Sequence, residues 1–225
     1  ISSGDDGVIA KLTNGKIGKV TSIVIKKINH KRVATFKKDK QITQQILEGS
    51  NYAGSYLSDP KLERRSKRMK TRFKKVCKTP EYAEMLKIRS TLPAWSVRNE
   101  IISTVENNQV IVIEGDTGCG KSTQVPQFIL DHHIMTNRGA ECKILVTQPR
   151  RISAMGVAQR VAQERAENEE NTSELIGYQI RFNSDVTYRT RVIFATTGIV
   201  LRKLQNTNVM NSSKKDSFAD ITHII

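Results

Sequence analysis

The sequence predicts an α/β fold in which a parallel β-sheet is covered by helices on both faces. From residue 109 onward, short apolar runs rich in Val and Ile alternate with longer segments of helical spacing. Polar segments rich in Gly, Thr or Arg follow three of these runs directly. Strands that alternate with helices in this way run parallel, and their connecting helices cover the sheet.

Composition bounds the size of the protein and the partners it can have. The chain has 225 residues, 37% of them hydrophobic, and a formal net charge of +15, so it can hold one large or two small domains. Residues 1–100 contain 23 Lys and Arg against 9 Asp and Glu, whereas the remainder is nearly neutral. This asymmetry indicates contact between the N-terminal part and nucleic acid or another acidic surface.

Targeting signals and cysteine usage bear on location. No apolar run approaches the roughly 18 residues that a membrane span needs, so no membrane partner is expected. The N-terminus has neither a Met nor a signal-peptide pattern, and we expect the chain to start inside a longer protein. Cys77, Cys119 and Cys142 are odd in number, scattered, and match no metal-binding spacing. They favour a reducing, intracellular compartment, either cytoplasmic or nuclear.

The pattern divides the chain into three parts. Residues 1–60 are an N-terminal extension whose β-branched clusters at residues 16–36 allow either a small β-containing domain or a poorly ordered tail. Residues 61–90 are a basic helical segment, with Pro60 at the first helical position. Residues 91–225 hold the alternating strands and helices and form the third part.

The basic segment is either a nucleic-acid contact or a solvated charged helix. Ten of residues 61–78 are Lys or Arg and one is Glu. A thin apolar stripe recurs at roughly helical spacing on Leu62, Met69, Phe73 and Val76. Such a helix can neutralise phosphates with an affinity that falls steeply with salt, but it carries no chemistry for reading a base sequence. A localisation signal is a further alternative.

The most specific motif is the glycine-rich stretch GDTGCGKST at residues 115–123, which follows the apolar run at residues 110–113. Its spacing fits Gly-x-x-x-x-Gly-Lys-Ser/Thr. Gly115, Gly118 and Gly120 permit positive φ, so that backbone N–H groups turn inward. Together with the start of the next helix, these groups form a cradle for phosphate oxygens.

Two side chains of this loop carry the expected chemistry. Lys121 reaches the β- and γ-phosphates, and the Ser122 hydroxyl ligates Mg²⁺. The predicted cofactors are therefore ATP, or another NTP, and Mg²⁺. The predicted nucleotide-binding residues are Gly115, Asp116, Thr117, Gly118, Cys119, Gly120, Lys121, Ser122 and Thr123.

The remaining elements follow in alternation. Strands are predicted at residues 143–147, 177–182, 191–196 and 221–225, and helices at residues 120–134, 152–166 and 199–204. The first of these helices contains Pro126, which should remove a backbone hydrogen bond or kink the helix. It ends with His132 and His133, which we expect to be solvated.

Two further polar segments follow strands directly. In TQPRR, Arg150 and Arg151 can pair with phosphates, and Thr147 adds a hydroxyl. TTG, at residues 196–198, offers two hydroxyls and a glycine that lets a backbone approach. Each segment alone is typical of an ordinary loop. Because ligands on parallel sheets bind at the carboxyl ends of the strands, we expect both segments and the phosphate loop to share one sheet edge.

In this order, GDTGCGKST, TQPRRISA, GYQIRF and TTGIVLRKL resemble the DEAH-box/RHA family of ATP-dependent RNA helicases. The resemblance covers about residues 90–225 and implies the first RecA-like domain of a P-loop NTPase. It makes residues 115–123 motif I, residues 147–154 motif Ia and residues 196–198 motif Ib. In the family, motif I binds nucleotide and Mg²⁺, and motifs Ia and Ib hold the backbone of a single RNA strand. The RNA-binding residues implied are Thr147, Gln148, Pro149, Arg150, Arg151, Thr196, Thr197 and Gly198.

The resemblance also shapes what we expect of the chain alone. The spelling TQVPQ after motif I is common in the family and accounts for Pro126. The family strand that resembles ITHII is followed by Asp-Glu-x-His, whereas this chain ends at Ile225. Phosphoryl transfer requires metal, water and positive charge around the γ-phosphate. We therefore expect the fragment to bind nucleotide weakly but neither to hydrolyse it at a useful rate nor to unwind RNA.

Two other functions stay open from the sequence. One is an NTP-gated RNA-binding protein without productive unwinding. The other is a P-loop kinase or GTPase, which has no need of TQPRR or TTG. Stimulation of hydrolysis by RNA separates the helicase from a kinase or GTPase. The sequence identifies no protein partner.

Overall fold

The alternation of strands and helices predicted from residue 109 onward is present in the structure. The computed structural model describes residues 23–27, 60–166, 175–207 and 220–225. The rest of the predicted N-terminal extension lies outside these residues. The strands are β1 (Ile23–Lys27), β2 (Ile111–Gly115), β3 (Ile144–Gln148), β4 (Ile176–Ile180), β5 (Asn183–Asp185), β6 (Val192–Thr196) and β7 (His223–Ile224). The helices are α1 (Pro60–Val76), α2 (Pro80–Ser90), α3 (Pro93–Ser96), α4 (Arg98–Asn107), α5 (Lys121–Met135), α6 (Arg151–Glu164) and α7 (Thr197–Thr207).

These elements belong to two units. The described residues of the smaller unit fall within 23–27 and 90–121, and those of the larger unit within 60–89 and 122–225. None of the helices described is both long enough and apolar enough to cross a bilayer.

The larger unit contains a five-stranded sheet in the order β5-β4-β6-β3-β7. β4, β6, β3 and β7 are parallel, and β5 runs antiparallel to β4 at the edge. The central strands β3 and β6 are almost wholly buried, as expected for apolar parallel strands covered by helices. The predicted α/β class is therefore confirmed. β5 escaped prediction because its three residues, NSD, are all exposed and give no apolar signal.

The core of the larger unit lies between the sheet and its helices. Leu145, Ile193, Ala195 and Val200 form a buried cluster, and Phe194 of β6 is completely buried. These side chains belong to β3, β6 and α7, so close-packed apolar side chains lie between the two central strands and α7.

α5 runs through Pro126 without interruption and buries most of its residues. Proline lacks the N–H that the sixth residue of this helix would donate to Ser122, so one backbone hydrogen bond is absent while the helix continues. Gln124, two residues before the proline, and Gln127, directly after it, are completely buried and hydrogen-bond to the carboxylate of Glu164.

α1 packs on the larger unit through one face. It starts at Pro60, and the predicted stripe residues Leu62, Met69, Phe73 and Val76 are half-buried. Ser66 on the same helix is buried, and its Oγ accepts a hydrogen bond of 3.1 Å from the N–H of Ala140. The basic helix is thus attached to the sheet domain along an apolar side and exposes its charged side.

The pairing of β2 differs from the sequence prediction. We expected β2 to join the parallel sheet, so that the phosphate loop would share an edge with residues 147–151 and 196–198. Among the described residues, β2 pairs instead with β1 in an antiparallel two-stranded sheet, with Ile23 opposite Gly115. The physical reason is that the backbone groups of β2 need partners, and the β-branched residues of β1 offer a ladder of equal length.

Candidate functional site

The phosphate loop follows β2 in the smaller unit. Gly118 has φ of +84° and Gly120 has φ of +95°, a conformation that glycine adopts without steric cost. Gly115 was expected to share this conformation but does not have it, because it is the last residue of β2 and pairs in the ladder. Two glycines, not three, therefore turn the backbone of the loop.

Lys121 folds over the loop that precedes it. Its Nζ donates to the carbonyl oxygen of Asp116 at 2.9 Å and to that of Gly115, and it lies 3.4 Å from Sγ of Cys119. Asp116, Thr117 and Gly118 are exposed. The ammonium group is thus positioned on the loop itself, where a phosphate oxygen bound by the loop would meet it.

A short helix outside the motif supports the loop. The N–H of Ala94 in α3 donates to the carbonyl of Cys119 at 3.0 Å, and both side chains are buried. Cys119, predicted to bind nucleotide, therefore contributes backbone to the loop while its side chain is 1% exposed. The available sequence signal for this support was the apolar stretch LPAW at residues 92–95.

The predicted donor set fits a nucleoside triphosphate with Mg²⁺. The loop combines two positive-φ glycines, a lysine ammonium, and the exposed Ser122 at the start of α5. Mg²⁺ usually keeps several waters and takes only one or two protein ligands beside substrate phosphates. A single hydroxyl is therefore an adequate protein contribution from this segment.

Residues 147–151 and 196–198 meet at one edge of the larger sheet. β3 and β6 are paired so that Gln148 lies opposite Thr196. The hydroxyl of Thr197 donates to the carbonyl of Gln148 at 3.5 Å. α7 begins directly after β6, and two residues separate the end of β3 from the start of α6. Two helix N-termini therefore lie at this edge, where backbone N–H groups favour anions.

The individual side chains at this edge differ in what they can offer. Pro149, Arg150 and Arg151 are exposed, and a Cβ added to Gly198 would meet no atom within 4 Å. The Thr147 hydroxyl instead donates to the carbonyl of Ile225 at 3.0 Å. Thr147 is thus already engaged with the segment that contains β7, whereas the two arginines extend into solvent.

A buried polar network beneath α5 was missed by sequence reasoning. The Glu164 carboxylate accepts hydrogen bonds of 2.8 Å from Gln124 and from Gln127, and its second oxygen accepts one of 2.9 Å from Arg160. Gln124 also donates to the hydroxyl of Thr123, the last residue of the GDTGCGKST stretch, at 2.9 Å. The available signal was the polar spelling TQVPQ inside an otherwise apolar helix.

A second part of this network contains two buried arginines. Arg165 donates to Asp131 at 2.6 Å, and Arg89 of α2 donates to Gln124 at 2.9 Å and lies 3.9 Å from Asp131. Burial also raises the pKa of the neighbouring Tyr82 to about 12. The network joins α2, α5 and α6 through charged groups that are paired away from water.

A basic groove lies along α1 in the larger unit. It has a volume of about 500 Å³. Its cationic lining residues are Lys61, Arg64, Arg65, Arg68, Arg72, Arg165 and Arg189. Its apolar and aromatic lining residues are Met69, Phe73, Val76, Ile134, Ala166, Leu175 and Tyr188. Arg65 donates to the carbonyl of Tyr188 at 2.8 Å and lies 5.3 Å from the centre of its ring. This groove is suited to a ligand with negative charge and some apolar surface.

Comparison with named proteins adds to these observations. DExH-box ATP-dependent RNA helicase DExH1 of Arabidopsis thaliana is 45% identical over 146 residues, which are 64% of this chain and 14% of the relative. ATP-dependent DNA/RNA helicase DHX36 of Mus musculus is 47% identical over 134 residues, 59% of this chain and 13% of the relative. DExH-box ATP-dependent RNA helicase DExH6 of Arabidopsis thaliana is 48% identical over 142 residues, which are 63% of this chain and 10% of the relative.

The matched region is a small part of each relative. The chain spans at most about a seventh of the length of these three proteins, since its share of them is 14%, 13% and 10%. No family model matches the chain. A sequence identity of 45% to 48% over more than half of the chain nevertheless agrees with the order of motifs in the sequence. The matched part of the chain is therefore similar to ATP-dependent helicases of the DExH/DEAH-box family, as the order of motifs predicts.

Proposed function

We propose that this chain is the nucleotide-binding part of an ATP-dependent RNA helicase. In this proposal it binds NTP and Mg²⁺ through residues 115–123 and a single RNA strand through residues 147–151 and 196–198. The observation that carries the proposal is the complete phosphate loop, with its two positive-φ glycines and the Lys121 ammonium against the loop carbonyls. The relatives' names, ATP-dependent RNA helicase and ATP-dependent DNA/RNA helicase, support it.

Each residue of the loop has a separate task in nucleotide binding. The backbone around Gly118 and Gly120 directs N–H groups at phosphate oxygens. Lys121 exchanges its bonds to loop carbonyls for charge-assisted bonds to phosphate. The Ser122 hydroxyl orients the metal, which supplies the positive charge that phosphoryl transfer requires.

RNA binding is assigned to the edge formed by β3 and β6. The pairing of Gln148 with Thr196 and the two helix N-termini support this assignment. Arg150 and Arg151 add exposed positive charge beside them. Contacts of this type hold the sugar–phosphate backbone and position the strand without reading its bases.

An activity of a whole helicase is a further proposal, since the chain spans at most 14% of the relatives reported above. We propose that closure of two motor domains around the nucleotide shifts the grip on the RNA strand, so that hydrolysis is coupled to unwinding or remodelling. We also propose that the protein prefers RNA to DNA. DExH1 is named an RNA helicase, whereas DHX36 is named a DNA/RNA helicase, so the names alone do not decide between the two. A nuclear or cytoplasmic location likewise stays a prediction.

ATP hydrolysis by the full-length protein, with and without single-stranded RNA, tests this function. We expect RNA to stimulate hydrolysis in the wild type. Lys121→Ala should weaken binding of a fluorescent ATP analogue about 10- to 100-fold, because charge-assisted hydrogen bonds contribute about 1.5–3 kcal/mol. Arg150→Ala should keep basal hydrolysis and reduce the response to RNA.

Two controls make this test specific. Lys87→Ala removes an exposed lysine of α2 outside the loop and should leave ATP binding unchanged, and circular dichroism should show that both lysine variants are folded. A folded Lys121→Ala protein that binds ATP normally would contradict the nucleotide site. Hydrolysis that does not respond to RNA would favour a kinase or GTPase, and stimulated hydrolysis without strand separation would favour an NTP-gated RNA-binding protein.

A further inference from the structure

Three side chains of types that commonly bind metal ions lie close together outside every predicted motif. They are His133 near the end of α5, Cys142 just before β3, and His223 at the start of β7. One ring nitrogen of each histidine and the sulfur of Cys142 all lie within 4.8 Å of one another. The two imidazole rings are 5.2 Å apart and nearly perpendicular, at 84°. We call these three residues the His–Cys cluster.

The sequence suggested the opposite for two of these residues. His133 was expected to be solvated, and Cys142 matched no metal-binding spacing. The structure shows His133 half-buried against His223 and Cys142 completely buried. The cluster was invisible in the sequence because its members are brought together by the return of α5 to the amino-terminal ends of two paired strands.

Hydrogen bonds hold both imidazoles in place. Nδ1 of His133 lies 3.0 Å from the carbonyl oxygen of Ile129, and since a carbonyl only accepts, the nitrogen carries the proton there. Nδ1 of His223 lies 2.8 Å from the hydroxyl of Thr222. Metal-binding histidines typically have such a partner on the second ring nitrogen, which fixes the ring and its tautomer. Nε2 is then the ligating atom of His133.

The donor set selects the class of metal. Two imidazole nitrogens and one thiolate are borderline-to-soft ligands, which suit Zn²⁺ and exclude Mg²⁺ and Ca²⁺, since those ions prefer oxygen. Tetrahedral Zn²⁺ with bonds of about 2.0 Å to nitrogen and 2.3 Å to sulfur needs ligand atoms about 3.3–3.7 Å apart. A contraction of about 1 Å from the widest separation meets this requirement, and a water would complete the four ligands that Zn²⁺ prefers.

A cysteine binds Zn²⁺ as the thiolate, so the ion would replace the proton of the Cys142 thiol, which is released to water. The thiolate then supplies negative charge that offsets the ion beside Arg138 and Arg191.

The position of the cluster separates it from the predicted RNA-binding edge. Ile144 pairs with His223, so Cys142 and His223 lie at the amino-terminal ends of β3 and β7. Residues 147–151 follow the opposite end of β3. A metal here would link the end of α5 to two strands of the sheet without contacting that edge.

We propose that His133, Cys142 and His223 bind one Zn²⁺ ion, which ties α5 to β3 and β7. The site is independent of the proposed helicase function. Its expected role is structural, because the ion would join three elements that are distant in sequence. It would thereby stabilise the edge strand β7, only two residues of which pair with β3.

Zinc binding by the purified full-length protein tests the proposal. After dialysis against excess Zn²⁺ and then metal-free buffer, we expect one Zn²⁺ per chain attributable to this site by mass spectrometry of the metal content. His133→Ala and Cys142→Ala should each weaken Zn²⁺ binding in a chelator competition by about 10-fold or more, since even outer-shell partners contribute 10- to 100-fold. Co²⁺ in place of Zn²⁺ should give a thiolate charge-transfer band that Cys142→Ala abolishes.

Matched controls distinguish this site from adventitious binding. His132→Ala removes the adjacent histidine on the same helix, and Cys77→Ala removes the exposed free cysteine; both should bind Zn²⁺ as the wild type does. His133→Ala changes a half-buried helix residue and keeps the test decisive if Cys142→Ala fails to fold. Absence of bound Zn²⁺, or binding by His133→Ala as tight as in the wild type, would overturn the proposal.

Discussion

Gly177 in β4 lies where the backbone of the neighbouring strand β5 leaves no room for a side chain. A Cβ at this position would lie 2.1 Å from the carbonyl oxygen of Asp185 and 3.1 Å from Cγ2 of Thr190. Gly156 in α6 is the opposite case, because a Cβ there would meet no atom within 4 Å. Two glycines of the same domain therefore have different physical reasons for being glycine.

Alanine at these two positions should shift stability in opposite directions. Gly177→Ala forces a backbone contact apart and should lower the free energy of unfolding by about 1–3 kcal/mol. Gly156→Ala, in an open helical position, should raise it by about 0.5–1 kcal/mol, since alanine has less conformational freedom to lose in folding. Urea unfolding of both variants measures the difference. Equal stability of the two variants would disagree with the β4–β5 geometry.

The two sides of α1 have different roles in the structure. Its apolar side packs on the larger unit, and Arg64, Arg65 and Arg68 line the basic groove. Lys67 instead pairs with Glu63 at 2.6 Å on an exposed face, an arrangement that contributes little to stability. Arg65 has a structural partner in Tyr188. A test of RNA binding should therefore keep Arg65 and remove the other charges.

The combined change Lys61→Gln, Arg64→Gln and Arg68→Gln, three cationic residues that line the groove, should weaken RNA binding and flatten its salt dependence. Each phosphate contact with a single strand contributes about 0.7 to the slope of log affinity against log salt, so loss of three contacts lowers the slope by roughly 2. Fluorescence anisotropy at several salt concentrations gives this slope.

The matched control removes the same charge from the same segment. Lys74, Lys75 and Lys78 are exposed and are not among the residues that line the groove, so their triple change to Gln should alter the slope less. An unaltered slope in the first variant would leave α1 as a solvated charged face. Equal effects of the two variants would indicate a general charge effect instead of the groove.

At the scale of the whole molecule, the buried network decides how distant segments of the larger unit fit together. Asp131 of α5 lies between Arg165, which follows α6, and Arg89 of α2. These side chains are at most 6% exposed. Since an uncompensated buried charge is strongly destabilising, the three segments depend on one carboxylate.

Asp131→Asn should lower the free energy of unfolding by about 3–5 kcal/mol, because two buried guanidinium groups lose their negative neighbour. Thermal and urea unfolding measure this loss. Asp185→Asn, at an exposed position in β5, is the control and should change stability by no more than about 0.5 kcal/mol. A loss as small as that of the control would show that the network does not depend on the Asp131 charge.

Prediction succeeded where the determining interactions are local. The apolar run that forms β6 and the stripe on Met69 and Phe73 were predicted from residue spacing alone, because the periodicity of apolar residues indicates which face is buried. Strand and helix limits differ from the predicted ones by a few residues, as in α7, which begins at Thr197 directly after β6. β5 could not be predicted, because hydrogen bonding to β4 and not its own composition makes it a strand.

The same distinction applies to the sites. The loop from Gly115 to Thr123 was identifiable because its glycines and lysine act over a few bonds, and the order of the later segments indicated the family. The pairing of β2 with β1, the network around Glu164 and the His–Cys cluster had no local signal.

By itself, the sequence determined the α/β class and indicated the similarity to helicases, since these rest on neighbouring residues or on motif order. Only the tertiary structure decided which strands pair, that Gln148 meets Thr196, and that His133, Cys142 and His223 converge. The physical reason is that contacts between distant residues depend on how the whole chain returns on itself to bury apolar surface and to pair buried polar groups.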